Sequence, residues 1–168
     1  MKLASIESLA RALNDAGVQF LVVGGLAVVA HGYGRQTQDV DLVIRLRPDS
    51  ISAAFAALAT LGYRPRVPVS AEMLSDPETR GRLVRDRGML VLAFHSEHHA
   101  ETPVDLITTE PFDFDAEHAA AMVLALTPDI PVRVVRLQAL LDMKRAADRP
   151  QDRADVAELT AIHGGRDA

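Results

Sequence analysis

Two aspartates, Asp39 and Asp41, alternate with apolar residues in the segment from Asp39 to Ile44. This alternation predicts a strand on which both carboxylates share one face, while Val40 and Leu42 enter the core. Carboxylates about 7 Å apart along a strand repel each other, and a bound cation would neutralise that repulsion. Because the ligand atoms are all oxygens, the pair favours Mg²⁺ or Mn²⁺ over zinc. An acidic pair facing solvent at the end of a strand is the alternative interpretation.

A glycine pair, Gly24-Gly25, lies between a predicted strand (Phe20 to Val23) and a predicted short helix (Leu26 to Ala30). Without side chains a phosphate can approach the backbone there, and the N–H groups at the start of the helix face it. A tight turn would explain the glycines without any ligand. A phosphate site beside a carboxylate pair that holds a metal is what phosphoryl or nucleotidyl transfer requires, because the transition-state charge lies on phosphate oxygens.

The segment from Val22 to Ile44 resembles the signature of the polymerase-β-like nucleotidyltransferase superfamily. It contains the glycine pair, a spacer, and then Arg35-x-Thr37-x-Asp39-x-Asp41. The similarity is strongest to the small bacterial branch that includes abortive-infection and toxin–antitoxin nucleotidyltransferases. The resemblance implies an NTP substrate such as ATP, with Arg35 and Thr37 beside its phosphates. For Arg35, an ion pair with Asp39 or Asp41 is the alternative interpretation.

A third carboxylate is expected at Asp105. The superfamily uses such a residue, on a neighbouring strand, as a metal ligand or as the base that activates the acceptor hydroxyl. Asp105 matches by type and position, since it alternates with apolar residues in the strand predicted from Pro103 to Ile107. An exposed aspartate on an edge strand is the alternative. Asp113 and Asp115 are rival candidates, although no clear strand carries them.

Lys144 continues the apolar stripe of a helix predicted from Leu137 to Ala147. The resemblance implies that this lysine reaches the phosphates of the nucleotide, whereas a lysine that snorkels at the end of its helix is the alternative. The toxin-like branch has a similar lysine followed by an arginine and spaced aspartates, matched here by Arg149, Asp152 and Asp155. Which aspartate corresponds is open, and Asp152 is equally well explained as the N-cap of the last helix.

The order of elements predicts an α/β (α+β) fold with a mixed β-sheet and helices packed on it. We assign residues 1–135 to a nucleotidyltransferase core and 136–168 to a helical pair packed on that core. Ser5 is predicted to cap the first helix. The segment from Tyr63 to Gly88 is the least regular part, and its arginines are interleaved with acidic residues. It is interpreted either as an RNA-facing lobe or as a solvated, salt-bridged loop.

Composition excludes several classes of protein. The 168 residues contain no cysteine, which excludes a disulfide framework, a thiolate zinc site and a cysteine nucleophile. The net charge of −5 argues against a general nucleic-acid binder. No apolar run reaches the roughly 20 residues of a membrane span, and the N-terminus is polar too early for a secretory signal. We therefore expect a cytoplasmic protein that does not bind a membrane.

These features predict a nucleotidyltransferase that moves a nucleoside monophosphate from an NTP to an acceptor and releases pyrophosphate. Asp39, Asp41 and Asp105 would hold Mg²⁺ or Mn²⁺. The acceptor is open among tRNA, a protein and a small molecule, and a toxin of this type would have a cognate antitoxin. An antibiotic nucleotidyltransferase and a catalytically silent nucleotide- or partner-binding module are the alternatives.

Overall fold

A mixed sheet of seven strands forms the centre of the molecule in the computed structural model, which describes residues 1–164. The strands are β1 (Phe20–Val22), β2 (Val40–Ile44), β3 (Arg64–Pro65), β4 (Val91–His95), β5 (Val104–Ile107), β6 (Met122–Thr127) and β7 (Ile130–Val134). The helices are α1 (Leu3–Asp15), α2 (Gly24–Ala30), α3 (Pro48–Thr60), α4 (Ala71–Ser75), α5 (Pro77–Arg87), α6 (Phe114–Ala120), α7 (Leu137–Ala147) and α8 (Pro150–Gly164). The strand order is β3-β4-β5-β2-β1-β7-β6, and the predicted α+β class is confirmed.

Three neighbouring strands meet at one edge of the sheet. Strand β1 is antiparallel to β2, with Val22 opposite Leu42, so β1 ends where β2 begins. Strand β5 is parallel to β2, with Asp105 opposite Asp41, so β5 begins at the same edge. The glycine pair that follows β1 and the aspartates of β2 and β5 are therefore neighbours in space.

Alternation along β4, β5 and β2 separates a core face from a more open face. Leu42, Leu92 and Leu106 are each at most 2% exposed, and they pack in one core with residues of α1 and α3. Asp41 and Asp105 lie on the opposite face and are only partly buried. The core face thus fixes the strands by apolar burial, while the other face presents Asp41 and Asp105.

The first helix begins earlier than expected. Helix α1 starts at Leu3 and has Lys2 at its N-cap, so the prediction that Ser5 caps it is wrong. Ser5 is buried inside the first turn, and its hydroxyl lies 2.9 Å from Nδ1 of His99. Tertiary contact, rather than capping, accounts for this serine.

The segment from Tyr63 to Gly88 is more regular than predicted. It forms β3, α4 and α5, and the side chains of Ser70 and Asp76 cap the two helices. Within residues 1–164, none of its arginines makes an ion pair. The interpretation of a salt-bridged loop is therefore wrong.

The last two helices occur where the sequence predicted them. Helix α7 packs on α8 and also contacts α2, the helix that begins with the glycine pair. Because α8 begins at Pro150, Asp152 lies in its first turn, and the interpretation of Asp152 as an N-cap is wrong. The division at residue 135 stays a prediction. None of the helices in residues 1–164 is long and apolar enough to span a membrane.

Candidate active site

The three predicted carboxylates converge. Asp39, Asp41 and Asp105 each offer one carboxylate oxygen, and these oxygens lie within 4.8 Å of one another. Asp41 and Asp105 are direct partners on parallel strands, and Asp39 precedes β2 by one residue. All three residues are partly buried. Side chains contributed by two strands thus form one oxygen-only cluster, called the carboxylate cluster below.

The electrostatics of the carboxylate cluster favour a cation. Burial, together with the charges of Asp39 and Asp105, raises the pKa of Asp41 to about 6, although the Gly25 N–H partly opposes this by donating a hydrogen bond. Burial and the Asp39 charge also raise the pKa of Asp105, while the charge of Arg66 lowers it. A divalent cation would relieve the mutual repulsion, and three carboxylates suit Mg²⁺ or Mn²⁺.

Metal binding should weaken in acid because protons compete for Asp41. With a folded-state pKa of about 6, Asp41 is mostly ionised at pH 7 and mostly protonated at pH 5. Displacing this one proton should make Mn²⁺ binding roughly tenfold weaker at pH 5 than at pH 7. Calorimetric titration with Mn²⁺ at both pH values measures this ratio. Equal affinities would show that Asp41 is not a ligand or that its pKa is not raised.

The glycine pair is explained in part by contacts within the chain. Gly24 has φ +59°, and a Cβ at this position would lie 1.8 Å from Oδ2 of Asp41. A Cβ on Gly25 would lie 2.2 Å from Oγ1 of Thr37. The absence of a side chain at Gly24 lets α2 begin directly against the Asp41 carboxylate, and its absence at Gly25 makes room for Thr37. The role of these glycines in holding a triphosphate stays a prediction.

Replacing Gly24 with alanine should therefore displace Asp41. The new Cβ would clash with the carboxylate, and the alanine would have to keep the left-handed backbone conformation of Gly24. We therefore expect a loss of at least about 1–3 kcal/mol of folding free energy. Mn²⁺ affinity should fall as well. Gly34→Ala is the matched control, because no atom lies within 4 Å of a Cβ there. Denaturant unfolding and Mn²⁺ titration measure both quantities, and a Gly24→Ala protein with normal Mn²⁺ affinity would contradict the proposed contact.

Arg35 does not pair with the carboxylate cluster, so that alternative is wrong. Its Nε lies 2.8 Å from Oδ1 of Asp155, and its Nη2 donates to Oδ2 of Asp155 at 2.9 Å. The Nη2 atom also lies 3.2 Å from the position that a Cβ on Gly25 would take. The Arg35 guanidinium is therefore fixed beside the start of α2, close to Thr37.

Lys144 is buried between two carboxylates, so it does not snorkel to solvent. Its side chain is 6% exposed, and its Nζ lies 2.9 Å from Oδ1 of Asp152 and 2.8 Å from Oδ2 of Asp155. Nε of Arg149 lies 2.6 Å from Oδ2 of Asp152. Both aspartates are therefore partners of Lys144. A cluster of charged side chains, called the charge cluster below, is thus formed by Lys144, Arg149, Asp152, Asp155 and Arg35.

The charge cluster borders the carboxylate cluster. Burial alone would raise the pKa of Asp152, but hydrogen bonds from Arg149 and Lys144 outweigh it and hold this pKa at about 2. The charge of Lys144 also lowers the pKa of Asp41, so the two groups are within electrostatic reach. Lys144 of α7 and Arg149, which lies just before α8, thus offset part of the negative charge at the carboxylate cluster.

The comparisons with known proteins bear on the fold. The chain matches no protein-family model and no curated protein sequence. Among solved structures it resembles ANT(2″)-Ia in complex with adenylyl-2″-tobramycin, at 14% identity and a TM-score of 0.59, over 98% of this chain and 91% of that one. It also resembles the lincomycin-bound lincosamide antibiotic adenylyltransferase LnuA, at 15% identity and a TM-score of 0.53, over 89% of this chain and 90% of that one. A third similar structure is an antigenic nucleotidyltransferase-like protein from Paracoccidioides brasiliensis, at 16% identity and a TM-score of 0.56, over 95% of this chain and 76% of that one. The chain has the nucleotidyltransferase fold.

The rival acidic candidates have other roles in this nucleotidyltransferase fold. Asp113 caps α6 by accepting from the Ala116 N–H at 3.0 Å, and Asp115 pairs with Arg45. Neither joins the carboxylate cluster. Asp105 is therefore the third carboxylate that the structure brings to Asp39 and Asp41.

Arg66 is a site residue that sequence reasoning did not single out. Its exposed side chain follows β3, and its charge acts on Asp105. Because β3 contains only two residues, the sequence carries no alternation that would reveal the strand or its register. Only the pairing of β3 with β4 reveals the position of Arg66.

Proposed function

We propose that the chain is a metal-dependent nucleotidyltransferase that transfers a nucleoside monophosphate from an NTP to an acceptor and releases pyrophosphate. The observation that supports this most directly is the convergence of Asp39, Asp41 and Asp105 on a nucleotidyltransferase fold. Three partly buried carboxylates that face one another without a cation repel, and this repulsion destabilises the fold. A purely structural role therefore does not explain why the three aspartates converge.

The carboxylates have distinct proposed roles. Asp39 and Asp41 hold Mg²⁺ or Mn²⁺, which when bound supplies positive charge against the phosphate oxygens. Asp105 completes the ligand set or accepts the proton of the acceptor hydroxyl. Its raised pKa makes Asp105 a better proton acceptor than an ordinary aspartate.

The phosphates of the nucleotide are proposed to lie along the start of α2. Gly24 is only partly buried and leaves its backbone accessible there, whereas Gly25 is buried, with Thr37 and Arg35 beside it. Two of the five N–H groups of Arg35 donate, one to Asp155 and one to the Gln36 carbonyl, and its Nε is buried 2.8 Å from Asp155, which leaves two N–H groups for a phosphate. Lys144 contributes its charge and one remaining N–H.

The acceptor is proposed to be tRNA, a protein or a small molecule, and the first two would suit a toxin with a cognate antitoxin. An antibiotic nucleotidyltransferase is the second candidate. Its support is the likeness to ANT(2″)-Ia, seen with an adenylylated tobramycin, and to LnuA, seen with lincomycin. Both proteins show that a chain of this fold can accommodate an antibiotic acceptor.

Labelled NTPs test the proposal directly. The chain is incubated with each NTP, with Mg²⁺ or Mn²⁺, and with total tRNA, cell protein, aminoglycosides or lincosamides in turn. We expect metal-dependent label transfer to one acceptor class, with an equal amount of pyrophosphate released. Metal-dependent NTP binding without turnover on any acceptor would favour the silent binding module. Transfer that persists in excess EDTA would contradict the role of the carboxylate cluster.

A further inference from the structure

A row of residues crosses four strands on the open face of the sheet. Asp41 lies opposite Asp105, and Asp105 lies opposite Ala93 of β4. The backbone N–H of Arg66 donates to the Ala93 carbonyl at 2.8 Å, one residue beyond the pair formed by Pro65 and Phe94. Residues opposite each other on adjacent strands share a face, so this register places Arg66 on the same side as the carboxylate cluster.

Between Asp105 and Arg66, the row contains no large side chain and leaves an open surface. Two strand spacings separate these residues, or about 10 Å at the backbone. Ala93 lies between them and has only a methyl group, and Arg66 itself is exposed. Arg64 is also exposed and, two residues earlier, extends the same face opposite His95. The space beside Asp105 is therefore bounded by arginine on its outer side.

Arg66 has no acidic partner in the part of the chain that the structure describes. Arg35 and Lys144, by contrast, are each held by buried carboxylates. The Arg66 charge nevertheless reaches Asp105, whose pKa it lowers. An exposed guanidinium that is not committed to a carboxylate is available to a phosphate, which it can bind through two parallel hydrogen bonds.

The order of charged groups across the sheet gives the NTP and the acceptor separate sides of the site. The glycine pair and Arg35 lie on the β1 side of Asp41, whereas Arg66 lies beyond Asp105 on the β3 side. If the phosphates of the NTP lie on the β1 side, the acceptor must approach from the β3 side. Arg66 is then the cation in line with Asp105 on this approach, with Arg64 beside it.

We propose that Arg66 binds a phosphate of the acceptor and thereby positions the acceptor hydroxyl at Asp105. The acceptor is accordingly a phosphate ester that carries a hydroxyl, such as a nucleotide or the end of an RNA chain. This inference rests on the proposed function. In the reaction, Asp105 takes the hydroxyl proton, the acceptor oxygen bonds to the α-phosphorus, and the bond from that phosphorus to the β-phosphate oxygen breaks. Pyrophosphate leaves with the bonding electrons.

The test compares Arg66→Ala with Arg47→Ala, an exposed arginine at the far end of β2. Each protein is titrated with a fluorescent single-stranded RNA of about eight nucleotides, without NTP. Each is also assayed for label transfer to total tRNA, to AMP and to adenosine. We expect Arg66→Ala to weaken RNA binding and to raise the KM for phosphate-bearing acceptors about tenfold, with the KM for NTP unchanged. Arg66→Lys should recover part of both effects. Arg47→Ala should behave as wild type.

The outcomes separate this inference from the proposed function. Transfer to adenosine as efficient as to AMP, or an Arg66→Ala protein within twofold of wild type in both assays, would overturn the role of Arg66 and leave nucleotidyl transfer standing. If the wild type transfers nothing, the proposed function fails, and RNA binding still decides whether Arg66 contacts a phosphate. RNA selectivity over AMP would identify the polymer as the source of the phosphate, and the reverse would identify a free nucleotide.

Discussion

Asp41→Asn is expected to abolish nucleotidyl transfer and, at the same time, to stabilise the folded chain at neutral pH. The amide keeps the size of the carboxylate but supplies no charge to hold a divalent cation. Because metal and backbone donors provide most of the stabilisation in phosphoryl-transfer chemistry, we expect the rate of transfer to fall by about a thousandfold or more. The transfer rate of Asp39→Asn should fall by a similar factor, since Asp39 and Asp41 each offer a carboxylate oxygen to the carboxylate cluster.

The gain in stability follows from the sign of the pKa shift at Asp41. Its pKa rises from 3.8 to about 6 on folding, so between these values the folded state retains a proton that the unfolded state has lost. Stability is therefore lost as the pH rises through this window, and the metal-free wild type carries the full loss at pH 7. Asp41→Asn removes the loss. We expect a gain on the order of 1–2 kcal/mol at pH 7, allowing for solvent screening, and none at pH 3.

Denaturant unfolding in EDTA at pH 3, 5 and 7, together with the transfer assay, measures both effects. Glu158→Gln is the matched control, because this exposed carboxylate makes no ion pair in residues 1–164. It should leave activity unchanged and stability within about 0.5 kcal/mol. An inactive Asp41→Asn protein that is also less stable at pH 7 would mean that Asp41 is a structural residue, and an active one would contradict the mechanism.

The carboxylate cluster could be anticipated from sequence because its geometry is local to each strand. A period of two places Asp39 and Asp41 on one face of β2, and the same period directs Asp105 away from the core. The nearness of β5 to β2 was supplied by the resemblance to known nucleotidyltransferases. The sequence thus predicted which carboxylates converge, although no local pattern contains the register between the strands.

The sequence brought four members of the charge cluster to attention, but it could not predict their partners, because Arg35 joins them from across the fold. Arg35 and Asp155 are separated by 120 residues, and nothing in the spacing of either predicts the other. For Lys144, both interpretations left the lysine facing solvent or phosphate, whereas packing of α8 places Asp152 and Asp155 against its Nζ. Tertiary contact decides such pairings, and propensity and periodicity do not describe it.

The charge cluster makes Lys144→Met the substitution with the largest expected cost in stability. Methionine matches the length and apolar character of the lysine stem, but it leaves Asp152 and Asp155 buried without their shared cation. Removing one partner of a buried ion pair typically costs about 3–5 kcal/mol, because the remaining charge is desolvated and unpaired. Arg35 and Arg149 would each still hold one carboxylate, so we expect a folded but weakened protein.

The control for Lys144→Met is Arg145→Met, the next residue of the same helix, whose side chain is 52% exposed and pairs with Asp142 on the surface. This change should cost less than about 1 kcal/mol. The triple variant Lys144→Met, Asp152→Asn, Asp155→Asn should recover part of the lost stability, because it removes the unpaired carboxylates but leaves Arg35 and Arg149 without their anions. Equal losses in Lys144→Met and Arg145→Met would contradict a buried, charge-paired lysine.

The pH dependence of Lys144→Met separates loss of charge pairing from loss of packing. In the wild type, hydrogen bonds to Lys144 and Arg149 hold the pKa of Asp152 at about 2, below its ordinary value of 3.8. That contribution is present above pH 4 and is lost as the pH falls toward 2. In Lys144→Met, less positive charge opposes the effect of burial, so the pKa values of Asp152 and Asp155 rise and both carboxylates bind protons more readily in the folded state. The deficit in free energy of unfolding relative to wild type should therefore shrink on acidification from pH 7 to 4. A packing defect would keep the same deficit at both pH values, and unfolding curves at pH 4 and 7 distinguish the two.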